Sequence, residues 1–244
     1  MKQFGLTDVG IVRESNQDVF AVGISGNGIP YAFVCDGMGG PGGGEIASAC
    51  AHNIIVDFFK SRQSGTNIED VTQAMRSLIK TINSEILALA SQNSALAGMG
   101  TTLVAAFLFK TKALVVNIGD SRAYLMSDGD ICQITKDHSV VQELIDIGSI
   151  TKVDAASHPQ KNIITRALGA YEDVEADYYT INIKKDAKIL LCSDGLSNLV
   201  DMREIQLELD INDTIEEAAT TLVESAKLHG GTDNISVAIL SNED

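Results

Sequence analysis

Apolar residues recur along this chain in two rhythms. Ile46, Cys50, Ile54 and Phe58 step by four, the stripe of a helix burying one face. Ile68, Val71, Met75, Leu78, Ile82, Ile86 and Leu89 mark a second, longer helix. Ser139 with Gln142 three residues on reads as a capping box, opening a helix through Val140, Val141, Leu144 and Ile145 that Gly148 can end. Thr214 and Glu217 similarly open one carrying Ile215, Ala218, Leu222 and Ala226. Strand-like runs occupy 30–35, 102–109, 113–118, 123–126, 178–183, 188–192 and 235–240. Most are rich in Val, Ile and Leu, as expected where both strand faces are covered. Asp128-Gly129 predicts a type I′ hairpin between 123–126 and 131–134. Strands outnumber helices, and several connections are too short for a crossover helix. The pattern predicts an α+β fold of largely antiparallel sheets flanked by helices, in one domain spanning 1–244.

Charge narrows the function. Eighteen Lys and Arg stand against 33 Asp and Glu, a net charge of −15 with a pI near 4.5. Nucleic acid and anionic membrane both need a basic footprint, so neither is expected as main partner. An apolar fraction of 45% and mean hydropathy of +0.10 exclude a disordered chain. The best apolar run, 103–109, falls far short of the ~20 residues of a membrane span. The opening MKQFGLTDVG has no apolar signal core, so a cytoplasmic protein is expected. Cys35, Cys50, Cys132 and Cys192 form no CxxC pair; Cys35 and Cys192 sit in apolar runs as small hydrophobes, in keeping with a reducing compartment.

Aspartates stand where apolar strands stop. The run to Cys35 meets Asp36-Gly37, the run to Gly119 meets Asp120, the run to Ser193 meets Asp194-Gly195, and Asp233 precedes the last strand. Singly, each suits a turn, as Asp128-Gly129 does. Jointly, they can converge at one sheet end. Two carboxylates ~4 Å apart repel by about 4 kcal/mol at an effective dielectric of 20, so a cluster must bind cations or protons. Hard oxygen donors suit Mg2+ or Mn2+.

Gly37, Gly39 and Gly42 imitate a dinucleotide-binding fingerprint, with Asp57 about 20 residues on. Asp57, however, lies in the same helical run as Ile54 and Phe58, and Asp36 would repel a pyrophosphate. A Walker A reading of Gly39 to Gly44 fails because Glu45 replaces the lysine. A glycine-rich turn needed for close backbone approach fits better.

Nine strings then fall in the order of one family: TDVGIVRESNQD (7–18), DGMGG (36–40), GEIAS (44–48), GTT (100–102), GDSR (119–122), DHS (137–139), ITRALG (164–169), SDGLSN (193–198) and GGTDNIS (230–236). The chain resembles a metal-dependent protein serine/threonine phosphatase of type 2C, in its compact bacterial form. The resemblance implies a four-layer α/β/β/α sandwich and two Mg2+ or Mn2+ ions, with a third in bacterial members. By position, Asp36 resembles the carboxylate bridging both ions, and Gly37 lends its carbonyl to the first. Asp194 and Asp233 resemble ligands of the second, and Asp120 with Asp194 matches the third-ion site. Gln17 and Asp18 resemble groups that hold the ions' waters, and Arg13 matches the arginine gripping the substrate phosphate. Residues 140–165 align with a mobile flap.

The implied activity is hydrolysis of phosphoserine and phosphothreonine in proteins by a metal-activated water, reversing a serine/threonine kinase, in a protein expected to be monomeric. Arg13, Asp36, Asp194 and Asp233 are then the catalytic set. Three positions depart from the family. Gln17 stands where many relatives have Glu, and Met38 and Pro41 replace histidines found in others. The missing imidazoles leave the leaving group's proton donor unassigned and motivate an alternative, a catalytically silent phosphopeptide-binding module on the same fold. His138, beside the capping Ser139, is expected to be structural.

Overall fold

Residues 1–40, 42–61 and 65–243 are described by a computed structural model, apart from the side chain of Ala156; Pro41 lies outside them. The strands are β1 (Lys2–Asp8), β2 (Asp18–Ile24), β3 (Pro30–Met38), β4 (Gly100–Thr101), β5 (Leu103–Phe109), β6 (Lys112–Ile118), β7 (Arg122–Ser127), β8 (Asp130–Gln133), β9 (Asp177–Asn182), β10 (Lys188–Cys192) and β11 (Ile235–Ser241). The helices are α1 (Gly43–Ser61), α2 (Ile68–Gln92), α3 (Val140–Asp146), α4 (Lys152–Ala156), α5 (Asp194–Ser197), α6 (Met202–Ile211) and α7 (Ile215–Leu228). One sheet runs β1-β11-β10-β7-β8 and the other β2-β3-β5-β6-β9, with β4 on the end of β3. Every pairing of these strands is antiparallel.

Three apolar layers build the α/β/β/α sandwich. Phe33, Ile55, Phe59, Met75, Ile82 and Phe107 pack α1 and α2 onto the β3 sheet. Leu190, Ile205, Leu209, Leu222 and Val237 pack α6 and α7 onto the β11 sheet. Between the sheets the side chains are mostly smaller: Ala32, Val34, Val104, Ala106, Ala123 and Ala238 among them. Short side chains on both inner faces let the sheets approach closely. That seam fixes how the strand ends of one sheet face those of the other.

The second helical stripe, the hairpin and the final helix fall where the pattern puts them. Asp128 and Gly129 have φ of 55° and 80°, as a type I′ turn requires. The first stripe is displaced by one position. The buried face of α1 is Ala47, Ala51, Ile55 and Phe59, whereas Ile46 is 39% exposed and Cys50, Ile54 and Phe58 lie on its flank. The alanines bring the helix axis near the sheet, so the face with the smaller residues is the one that closes. Ser139 and Thr214 cap as expected, accepting from the Gln142 and Glu217 amides, but neither partner side chain is recorded reaching back.

β1, β2 and α6 carry no clear apolar rhythm in the sequence. β1 and β2 are edge strands, half-covered and mixed in composition. Their meeting depends on Gly5, where a Cβ would lie 2.3 Å from the Phe20 ring. α6 had a readable start, since Asp201 accepts from the amides of Arg203 and Glu204. Cys35 and Cys192 are buried and unpaired, with thiols pushed up by burial, Cys192 to about 12.

The displaced stripe can be tested by stability. Phe59→Ala is expected to cost about 3–5 kcal/mol in urea unfolding, and Ile46→Ala less than about 1 kcal/mol. Equal losses would return the buried face to the 46/50/54/58 stripe.

Candidate metal centre

The seam between the sheets turns polar at one end. In β3, Tyr31, Phe33 and Cys35 face the helices, while Ala32 and Val34 face the seam. By the same two-residue alternation, Asp36 falls on the seam side. β3 runs past Asp36 to Met38 because Gly37 and Met38 pair with β4, so Asp36 lies within the strand rather than at its stop. Asp18 stands directly opposite Asp36 in register, at the start of β2. Asp120 follows β6 through Gly119, whose φ of 105° makes the turn. Asp194 is the first residue of α5, and Asp233 lies two residues before β11.

A cavity of about 270 Å³ is lined by Asp36, Asp120, Asp194 and Asp233, together with Arg13, Gln17 and Gly37. Carboxylates from four remote segments thus face one space. Asp36, Asp120 and Asp194 are half-buried. Burial, reinforced by Asp18, Asp194, Asp120 and Asp233, holds the Asp36 carboxyl well above the usual carboxylate range. Burial and the neighbouring Asp194 and Asp137 push Asp120 up to about 7. Burial raises Asp194 too, with Asp233 adding to it and a hydrogen bond with Asp36 opposing it. Asp18, 4% exposed, is pushed up to about 7 by burial against the pull of its hydroxyl partners. Such crowding is stable only with protons or cations among the oxygens.

Hydroxyls and one amide hold the aspartates in place. Ser193 Oγ donates to Asp18 Oδ2 at 2.7 Å and accepts from the Ser236 amide at 2.9 Å. The other Asp18 oxygen, Oδ1, is buried with no hydrogen-bond partner. Thr102 Oγ1 accepts from the Asp36 amide at 2.9 Å and bonds Ser121 Oγ at 2.7 Å. Asn234 was not singled out by its sequence, yet its amide ties down the segment carrying Arg13. Oδ1 accepts from the Gln17 amide at 2.8 Å, and Nδ2 donates to the carbonyls of Val9 at 3.0 Å and Ser15 at 2.9 Å. Its only sequence signal was its place beside Asp233.

Arg13 is not a free surface arginine. Its Nη2 donates to Asp233 Oδ2 at 2.7 Å, while half the side chain stays exposed. Gly37 is fixed by crowding: a Cβ there would sit 2.2 Å from the Gly44 carbonyl oxygen and 2.5 Å from that of Gln17. The Gln17 carbonyl accepts from the Gly37 amide and from Ser48 Oγ, which anchors its cavity-lining side chain. Met38 lines the cavity, and no imidazole does so among the described residues. His138 is buried nearby in a structural role. Its Nδ1 accepts from the Gly119 amide at 3.0 Å, its Nε2 lies 3.3 Å from Asp177, and burial lowers its pKa.

No group of three or more His, Cys, Asp or Glu among the described residues could hold an ion by itself. The aspartates ring an open space, so any ion there must complete its shell with backbone carbonyl and water. That donor set fits Mg2+ or Mn2+, which keep several waters, rather than zinc. The crowded carboxylates and the orphaned Asp18 oxygen are the features such ions and their waters would satisfy.

Comparison with known proteins places the whole chain in one family. Residues 12–229 match the family described as Protein phosphatase 2C. Serine/threonine phosphatase stp of Listeria monocytogenes is 38% identical over 237 residues, covering 97% of this chain and 94% of its own. A crystal structure of a bacterial serine phosphatase superposes with a TM-score of 0.94 at 34% identity, covering 100% of this chain and 98% of the other. The catalytic domain of the phosphatase PstP, solved in complex with two manganese ions, gives 0.85 at 34% identity, over 98% and 96% of the two chains. The chain belongs to the protein phosphatase 2C family.

Proposed function

We propose that this protein hydrolyses phosphoserine and phosphothreonine in proteins, using Mg2+ or Mn2+. The observation that carries the reading is the meeting of four aspartates from remote segments with one guanidinium in a single cavity. Bound divalent ions supply Lewis-acid polarisation of the phosphoryl group and bring the pKa of a water from 15.7 towards about 7. Asp36, Gly37, Asp194 and Asp233 would hold two ions, and Asp120 with Asp194 a third. Gln17 and Asp18 are suited to orient water: Asp18 keeps one oxygen without a protein partner.

Arg13 grips the phosphoryl oxygens. Its planar fork suits two of them at once, and its exposed half leaves it reachable from solvent. The reading needs no serine or cysteine nucleophile and hence no phosphoenzyme. With no imidazole on the cavity among the described residues, the departing serine or threonine oxygen takes its proton from water. The alternative of a silent phosphopeptide-binding module rests only on those missing imidazoles.

The segment 140–165 acts as a flap. Support comes from its neck, where Val140 donates to the Ile163 carbonyl at 2.9 Å and Thr165 to that of His138 at 2.8 Å. These bonds close 140–165 into a discrete excursion beside the site, the form that the flap reading requires. The cavity gathers residues from position 13 to position 234, which supports one phosphatase domain over 1–244, proposed to work as a monomer. No helix of the described residues is long and apolar enough to cross a membrane. The proposed cytoplasmic signalling role opposite a serine/threonine kinase rests on the family and on its relatives named serine/threonine phosphatase.

Turnover of a phosphothreonine peptide is expected to vanish in EDTA and return with Mn2+; activity surviving complete metal removal would overturn the reading. Asp36→Asn and Asp194→Asn are each expected to lose more than about a hundredfold, since even the outer groups of a metal site are worth 10–100-fold. Arg13→Ala should raise KM by about 10–100-fold, with Arg13→Lys recovering little.

Acidity gives a test independent of activity. Asp18 and Asp120 bind protons near pH 7 in the folded chain, against about 3.9 when unfolded. Between those values the native state holds more protons, so the metal-free protein gains stability as pH falls from 8 towards 5. His138 opposes this below its ordinary value of 6.5, because its folded form resists protonation. Mn2+ at pH 7.5 and a hundredfold excess over Kd should raise Tm by about 5–10 °C and flatten the pH dependence. A metal-free Tm that rises steadily from pH 5 to 8 would contradict the crowding of these carboxyls.

A further inference from the structure

A second cavity, about 360 Å³, adjoins the metal centre and shares Asp120 and Asp194 with it. Its outer wall comes from the 140–165 excursion, which contributes Lys152 at the start of α4 and Lys161. Other cations around this part of the molecule are committed. Arg122 is forked onto Asp137 with contacts of 2.6 and 3.0 Å, Lys136 pairs with Asp146 at 2.6 Å, and Arg166 pairs with Asp177 at 3.1 Å. Lys152 and Lys161 have no ion-pair partner among the described residues. Both are exposed, and what sets them apart from the chain's other unpaired lysines is that they line one polar cavity beside the metal centre.

The acids nearest them are spoken for. Asp120 and Asp194 belong to the metal centre, and Asp137 is held by Arg122. Ser197, also on the wall, has a buried hydroxyl with no partner in the protein. The side-chain amides of Gln142 and Asn198 already donate to Asp146 and Asp194, at 3.0 Å each. What remains unsatisfied here is positive charge and a hydroxyl, a complement to an anion arriving from outside. The neck bonds of the excursion keep that wall beside Asp120, since His138 joins Gly119 to Thr165 through its ring and carbonyl.

We propose that this cavity is an anion subsite for the protein substrate: Lys152 and Lys161 receive a carboxylate or a second phosphoryl group carried near the scissile phosphate. The inference rests on the phosphatase reading and adds a sequence preference to it. It runs against the chain's overall charge, which by itself favours basic substrates. Overall charge acts over long range and is screened beyond about 8–10 Å at physiological salt, whereas contacts inside a cavity are not.

The test uses phosphothreonine peptides that differ only in one glutamate, moved from three positions before the phosphosite to three after, with an all-alanine reference. The intact protein with Mn2+ is expected to favour one or two glutamate positions by about five- to tenfold in kcat/KM, mostly through KM. Lys152→Ala/Lys161→Ala should erase that preference while an aryl phosphate is turned over within about twofold of the parent rate. Lys152→Glu/Lys161→Glu should invert it towards a lysine at the same position. Replacing the favoured glutamate by phosphoserine identifies the source. A larger gain assigns the subsite to doubly phosphorylated segments and an equal or smaller one to acidic side chains; either must disappear in the double alanine variant. No favoured position, or a preference that survives the double variant, overturns the subsite. Failure of the parent protein to hydrolyse the aryl phosphate with Mn2+ would instead overturn the phosphatase reading beneath it.

Discussion

Repulsion among buried carboxylates is the constraint around which this molecule is arranged. Asp18, Asp36, Asp120 and Asp194 all have protonation pushed upward, chiefly by burial and then by one another. Left to itself such a group would spread apart or stay neutral. The protein prevents the first by setting Asp18 and Asp36 in hydrogen-bonded strands of a six-stranded sheet and Asp194 at the end of a strand in the opposite sheet. The charge must therefore be answered by something the cavity admits, and divalent cations answer it with fewest atoms.

The two-sheet architecture serves that arrangement through its seam. Reading each strand two residues at a time along the inner face, Val22 and Phe20 lead to Asp18, and Ala32 and Val34 lead to Asp36. Ala106 and Val104 lead to Thr102, and Leu240 and Ala238 lead to Ser236. One face of each sheet is thus apolar for most of its length and polar at a single end. Because the apolar part closes tightly on small side chains, the polar ends meet without choice. Packing energy from the alanines and valines holds acids together that would otherwise separate.

Aspartates standing where apolar runs stop were visible in the sequence, and that is why they could be read as a cluster; the alternation that points them into the seam shows only once the two faces of each strand are told apart. What could not be read was which strands face one another. Asp18 lies in a mixed edge strand whose alternation is weak, so its place opposite Asp36 depends on register that local pattern does not encode. The one-residue error in the α1 stripe has a similar origin. Ala47 and Ala51 look less apolar than Ile46 and Cys50, yet small size decides which face approaches the sheet. Asn234 was obscured by Asp233: an amide clamping a loop leaves no mark in spacing or charge.

Charge balance also explains how a site built of acids can receive a phosphate. Four carboxylates line the cavity, and two divalent ions would cancel them, leaving Arg13 as surplus positive charge among the lining residues. Arg13 donates to Asp233 at 2.7 Å, which neutralises one of the four acids, while half of its side chain stays exposed. On the proposed reading an ion held by Asp233 would compete for that carboxylate and leave the guanidinium to the substrate. The same arginine would thereby couple phosphate binding to the charge on Asp233, because one guanidinium answers both anions.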